Sequence, residues 1–306
     1  MEITLCVGTL LMGPVDGAIV VLALVAAWSM GHHYSGAVVG TAFGSKSITL
    51  RKGLLVSGLL VILGAVLSNV VQTYANLAKV GGEYSVVVLI SFILMSNLTT
   101  YLKIPTSTIQ LYTFGILGAA LASGTPISYP TLAIIVISWA VAPTLGYALG
   151  RVVYGRIPQS ENLRYLILGT MLYSALVLGL NDVSNAATSL VISGVALFPA
   201  KLACGVAMMI GMVTWGSRLA KRVGEDLVQM DLRKAAAAQL TKAVVISALN
   251  IFGVNASMNQ TIVAALASMG ARKKVLKSII LGWVYSPVIG FAVSFGLSLL
   301  LARGLL

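Results

Sequence analysis

Charge is what this chain has least of. Lysine and arginine number 20 and aspartate and glutamate 8 in 306 residues, or 9%, against roughly 25% in a soluble domain. A water-soluble fold of this size leaves about a quarter of its unfolded surface exposed, more than so few charges cover. Cysteine is nearly absent, at two residues, which excludes a disulfide-stapled scaffold and leaves Cys6 and Cys204 to read as inert thiols. Glycine has no fixed period, which excludes a collagen-like chain. Residues 1–13 carry no basic stretch and do not look like a cleaved signal peptide. No Walker pattern, His-Glu-x-x-His pair or Gly-x-Ser-x-Gly elbow occurs, and no paired acids sit in apolar sequence, so the reading is not an enzyme.

Apolar residues make up 58% of the chain, and its mean hydropathy is +0.98. Such a composition predicts an all-α polytopic membrane protein. A span needs ~20 apolar residues, and the apolar runs divide into 14–45, 53–72, 85–102, 104–124, 128–149, 165–198, 199–216, 237–252, 254–270 and 278–302. The first and sixth are long and interrupted. The two halves repeat in order: Gly31 with Gly179, Gly58 and Gly64 with Gly205 and Gly211, Ser107 with Ser257, and Trp139, Pro143 and Gly146 with Trp283, Pro287 and Gly290. The paired prolines suggest matched kinks and the tryptophans packing or interface anchors.

Five segments per half would invert the second half relative to the first. Placing 46–52 inside and alternating from there puts seventeen of the 20 basic residues inside and only Lys79, Lys201 and Arg303 outside. This bias is the positive-inside rule. It accounts for the net charge of +12 without a nucleic-acid partner. The expected organisation is an inverted repeat at 1–150, a cytoplasmic linker at 151–164 and a second repeat at 165–306. Both termini lie outside, and 217–236 is a solvated cytoplasmic loop. Inverted repeats are common in secondary transporters, with the site near the midplane between them.

Four polar clusters interrupt the apolar runs: Gly31–Gly36, Gly179–Asn185, Ile104–Gln110 and Val254–Gln260. Irregular backbone at membrane depth is tolerated only where protein buries it or it lines a cavity. Pro105 and the Ser/Thr/Asn residues of the last two clusters suit helix N-termini. A helix N-terminus inside protein offers free N–H groups and a favourable dipole to an anion. Two such ends from inverted halves would face one anion from opposite sides.

At these residues the chain resembles the inorganic phosphate transporter family. Gly179-Leu180-Asn181-Asp182-Val183-Ser184-Asn185-Ala186 closely matches the family's Gly-Ala-Asn-Asp-Val-Ala-Asn-Ala signature. The stretch from Gly40 to Arg51 is similar to the family segment just C-terminal to its first signature. Pro105-Thr106-Ser107-Thr108-Ile109-Gln110 and Asn255-Ala256-Ser257-Met258-Asn259-Gln260 stand where the family has Pro-Val-Ser-Thr-Thr-His. The first signature departs: His33, Tyr34 and Ala37 replace Asn, Asp and Asn. The resemblance implies a permease of the plasma membrane for phosphate or, as in some members, sulfate. It also allows a homodimer. No cofactor is expected, beyond Na+ or H+ as coupling ion and lipid as surroundings. A passive anion channel is the competing reading.

The candidate residues divide by chemistry. Asp182 is the only acid deep in an apolar segment, where an ionised carboxylate costs at least ~3 kcal/mol. With Asn181 and Asn185 it suits Na+ or a proton. Thr106, Ser107, Thr108, Ser257 and Asn259 are the expected anion ligands, backed by Gln110 and Gln260. His32 and His33 read as a proton switch, as donors to the anion or as packing; they make a poor metal site, and no metal is expected beyond Na+ at Asp182. Tyr34 is a further donor. Lys46 is expected near the anion path or at the cytoplasmic interface.

Overall fold

The computed structural model describes residues 13–68, 77–251 and 256–305, excepting the side chains of Ser184, Asn185 and Ile192. Among the described residues, all regular structure is helical. The first half holds α1 (Pro14–Ser35), a π-helical turn (Gly36–Gly40), α2 (Thr41–Gly44), α3 (Leu50–Leu67), α4 (Gly82–Tyr101), α5 (Thr108–Ser123) and α6 (Tyr129–Arg156). The second holds α7 (Leu163–Asn181), α8 (Val183–Ile192), α9 (Leu197–Trp215), α10 (Ser217–Lys221), a π-helical turn (Arg222–Asp226), α11 (Leu232–Ile251), α12 (Met258–Ala267) and α13 (Lys273–Ala302).

Seven of the described helical stretches are long and apolar enough to cross a membrane. The fourth segment of each half is shorter than its apolar run. With 16 and 10 residues, α5 and α12 reach only ~24 and ~15 Å, less than the ~30 Å hydrocarbon core. Each is preceded by non-helical chain, so its N-terminus lies within the protein. The long first segments are interrupted locally, by the π-helical turn after Ser35 and by a single turn residue, Asp182.

The halves interlock through one pair of contacts made twice. A Cβ on Gly31 of α1 would strike the Met208 backbone of α9, and one on Gly211 would strike Trp28 of α1. Symmetrically, a Cβ on Gly64 of α3 would strike Leu176 of α7, and one on Gly179 would strike Val61 of α3. The repeat carries Gly31 onto Gly179 and Gly64 onto Gly211. Small residues let membrane helices approach this closely. Likewise α5 packs on α13 and α12 on α6. Trp283 is no interface anchor: its indole N–H donates to Pro105 O at 2.8 Å, pinning the chain ahead of α5. Trp139 stacks on Phe114.

The loop expected at 217–236 is mostly not a solvated connection. Leu219, Ala220, Val223, Leu227 and Val228 are buried, and Gly224 lies against Gly40 and Gly44. The small residues of both π-helical turns let the segment seat under the bundle. From Leu232 the chain is already α11, so Arg233 and Lys234 are helix residues, and Lys242, further along the same helix, is fully buried. Most basic segments do gather at one end. Arg272 N donates to Leu227 O, Arg233 to Tyr154 O and Arg222 to Ser278 Oγ. Lys46, exposed and with φ 59°, belongs to this end and not to the interior. Along the flanks, Leu55, Leu59, Leu63, Ile137, Val284 and Val288 are exposed, the apolar belt of a multi-pass integral membrane protein.

Candidate anion and cation site

Ser107 and Ser257 are the N-caps of α5 and α12, and each side-chain oxygen accepts the N–H three residues on, Gln110 N and Gln260 N, at 3.3 Å. The first intrahelical bonds run from Leu111 N to Ser107 O and from Thr261 N to Ser257 O. The N–H groups of Thr108, Ile109, Met258 and Asn259 therefore have no acceptor within their own helices. Both caps are fully buried.

The two ends meet. Gln260 Nε2 donates to Gln110 Oε1 at 3.1 Å, and Asn259 Nδ2 donates to Thr106 O at 2.9 Å and to His33 O at 3.4 Å. Gln110 and Gln260 are repeat equivalents, 150 residues apart. Tyr34 and Asp182 are also equivalents, 148 apart, and the Tyr34 hydroxyl donates to Asp182 Oδ1 at 2.7 Å. Residues touch their own repeat equivalents only beside the pseudo-two-fold axis, so both pairs locate that axis. Thr108 Oγ1 donates to Tyr34 OH at 2.6 Å. A continuous relay thus links the N-terminus of α5 to the carboxylate that divides α7 from α8.

Of the expected anion ligands, Thr106, Ser107, Thr108, Ser257 and Asn259 are brought together, all buried, with Gln110 and Gln260 at the same contact. Thr106 is taken up by His33, whose Nε2 meets its carbonyl at 3.1 Å and its hydroxyl at 3.0 Å while Nδ1 meets Thr100 Oγ1 at 2.9 Å. His33 thereby holds the stretch ahead of α5. His32 is separated from the site: its Nε2 meets Asn97 Oδ1 at 2.9 Å, and its ring packs edge-on to Trp28 and Trp215. Adjacent helical residues diverge by ~100°, which sends the two histidines to different neighbours. Asp182 is buried, and Asn181 is half-buried at the end of α7. The Asn185 side chain and Asn255 lie outside the described residues. The apolar run 237–252 takes in Lys242, which the charge count assigned to the cytoplasmic side, and its burial was not read from the sequence. The contact of Tyr34 with Asp182 had a signal, their shared register; the lysine's burial depends on the π-helical turn packed against α11.

Inverted halves that interlock around buried helix ends and a membrane-embedded acid are the architecture of a class of membrane transporters. The profile of the phosphate transporter family matches residues 30–162 and again 156–294, and the chain belongs to that family. A candidate phosphate permease of Methanocaldococcus jannaschii is 23% identical over 84% of this chain and 88% of its own length. The sulfate permease of Bacillus subtilis is 22% identical over 91% of this chain and 86% of its own. The fold is similar to that of a sodium-dependent phosphate transporter, with a TM-score of 0.81 over 95% of this chain and all of that one, at 18% identity.

Proposed function

We propose that the protein is a plasma-membrane carrier of inorganic phosphate, working by alternating access between its two halves with Na+ or H+ bound at Asp182. The observation that carries this is the meeting of two capped, buried helix N-termini beside the pseudo-two-fold axis, linked to the acid by Thr108 and Tyr34. The free N–H groups of the first turns and the Ser107 and Ser257 hydroxyls supply donors of both halves to one anion. A cation at Asp182 offsets the anion's charge, and the relay makes each site sensitive to the other's occupancy.

Phosphate is favoured over sulfate by one atom. Asn259 Oδ1 is buried without a hydrogen-bond partner among the described residues. The orientation of this amide is set by its donation to Thr106 O. Protonated phosphate carries an O–H that such an acceptor receives, whereas sulfate carries none. Sulfate is the second reading, supported by the B. subtilis relative's coverage of nearly the whole chain. The basic end faces the cytoplasm in this reading, as the charge bias requires.

Uptake of radiolabelled phosphate into proteoliposomes, competed with sulfate, tests the proposal with and without a Na+ gradient and at two pH values. Saturable phosphate uptake driven by one of the two cation gradients is expected. Conductance indifferent to both gradients would instead mean a channel, and sulfate uptake unaffected by excess phosphate would overturn the substrate.

A further inference from the structure

Aromatic rings and a guanidinium gather where α4 and α9 end, away from the anion site. Helix α1 packs on both α4 and α9, and Val21 and Val25 on its outer side stay exposed. The three helices thus form a lipid-facing groove with α1 as its floor. At the basic end of this groove Trp28 stacks on Trp215, ring centroids 5.8 Å apart, and the His32 ring lies edge-on to both. Trp28 Nε1 donates to Thr214 Oγ1 at 3.1 Å, and Asn97, which holds His32, also donates to Ser29 Oγ. Arg218 of α10 lies over the rings of Tyr101 and Trp215, with its Cζ 5.3 Å from each centroid. Among the described residues no carboxylate pairs with Arg218; Asp226 pairs with Arg222 instead. Lys103, just after α4, and Lys221, one turn beyond Arg218, are exposed and add to the positive charge.

The repeat builds the same crossing a second time, from α7 and α11 of the second half and α3 of the first, without these side chains. A Cβ on Gly211 of α9 would strike Trp28 O, and one on Gly64 of α3 would strike Leu176 O. Leu176 is therefore the counterpart of Trp28, and the same register carries His32 onto Leu180. The register of Gly64 and Gly211 carries Thr214 and Trp215 onto Leu67 and Ser68, and Arg218 onto Val71, which lies outside the described residues. Helices α4 and α11 match end to end, which carries Asn97 onto Ser247 and Tyr101 onto Ile251. Packing at this crossing is thus met by leucines and calls for neither the rings nor the charge. The two grooves differ in the leaflet they face, because the repeats are inverted. Aromatic residues suit both membrane interfaces, but an anionic leaflet attracts arginine and lysine.

We propose that this groove is a binding site for one anionic phospholipid of the leaflet at the basic end. The headgroup phosphate takes the Arg218 guanidinium, whose paired N–H groups fit two phosphate oxygens. Stacking on Tyr101 and Trp215 holds that guanidinium in place. An acyl chain lies over the Trp28–Trp215 pair and along the exposed Val25, Leu98 and Ile210. The lipid touches both halves, since α1 and α4 come from the first and α9 from the second. The site stands whichever anion the protein carries.

The test titrates the purified protein in detergent with phosphatidylglycerol, with zwitterionic phosphatidylcholine and with water-soluble glycerol phosphate. Thermal midpoint and retained lipid, read by native mass spectrometry, are followed in wild type, Arg218→Gln, Trp28→Leu and Lys52→Gln. Phosphatidylglycerol should raise the wild-type midpoint at a concentration at least about fivefold below phosphatidylcholine, the order that one basic residue contributes at an anionic surface. Arg218→Gln should remove that preference. Trp28→Leu, which copies Leu176 of the other groove, should weaken retention of the lipid. Lys52→Gln takes one exposed charge from the same end without touching the groove and should behave as wild type. Equal response to the two lipids in wild type would overturn the proposal, as would Arg218→Gln with no larger effect than Lys52→Gln. Full stabilisation by glycerol phosphate would make the groove a site for a soluble anion and not for a lipid. Lipid-free wild type that elutes as a dimer, with Trp28→Leu monomeric, would give the groove to a second copy of the chain.

Discussion

Asp182 and Tyr34 carry the sharpest consequences of single side chains. Asp182→Asn removes the only acid described within the bundle at membrane depth, and loss of gradient-driven uptake is expected. Near-normal uptake in proteoliposomes would refute the coupling role. Tyr34→Phe is subtler. It leaves Asp182 Oδ1 without the tyrosine donor and Thr108 Oγ1 without its acceptor. An unmet buried polar group costs about 1–3 kcal/mol, so the cation half-saturation should rise about tenfold or more while the protein still folds. Asn259→Ala removes the acceptor ascribed to phosphate's O–H. Competition assays should show the preference for phosphate over sulfate narrowing. Asp182 was legible in the sequence because an acid in an apolar run has few structural excuses. The role of His32 was not: it needs the positions of Asn97, Trp28 and Trp215, which come from other helices.

Helix ends and helix crossings set the next level. Ser107→Ala and Ser257→Ala each remove an N-cap acceptor, a loss of typically ~1 kcal/mol. Because the caps are repeat equivalents with the same geometry, both should lower the thermal midpoint in detergent by similar amounts. A midpoint that falls for one serine alone would show that the halves do not bear on the site equally. The glycine crossings predict a matched set of four. Alanine at Gly31, Gly211, Gly64 or Gly179 puts a methyl against the backbone of the facing helix. All four should depress the yield of folded protein, measured as the monodisperse fraction after purification. These elements were largely readable, since apolar runs and Ser/Pro signals mark where membrane helices start and stop. The start of α11 was misread because Arg233 and Lys234 look like loop charges when nothing shows that they belong to a helix.

At the scale of the whole molecule, each half packs its first, fourth and fifth segments on the other half. Neither half is a self-contained bundle. The two halves expressed separately should not elute as discrete particles, whereas the halves produced together should co-purify. Orientation is a matter of charge. With Cys6 replaced and Cys204 buried, a cysteine at Lys46 should label only from the cytoplasmic side and one at Arg303 only from outside. The reverse pattern would overturn the proposed orientation.

Membrane residence, ten segments, inversion and the four polar clusters come from the sequence alone, because the bilayer imposes length, apolarity and charge bias locally on each segment. Even the pairing of Tyr34 with Asp182 is latent there as a register. What only the tertiary structure decided is which of the latent pairs touch. Tyr34 reaches Asp182 and Gln110 reaches Gln260 because glycine-lined crossings bring the pseudo-two-fold axis between them. Lys242 is buried because α11 lies against a π-helical turn whose Ala37 carbonyl accepts from its side chain. Those are consequences of long-range packing, and no local pattern in the chain encodes them.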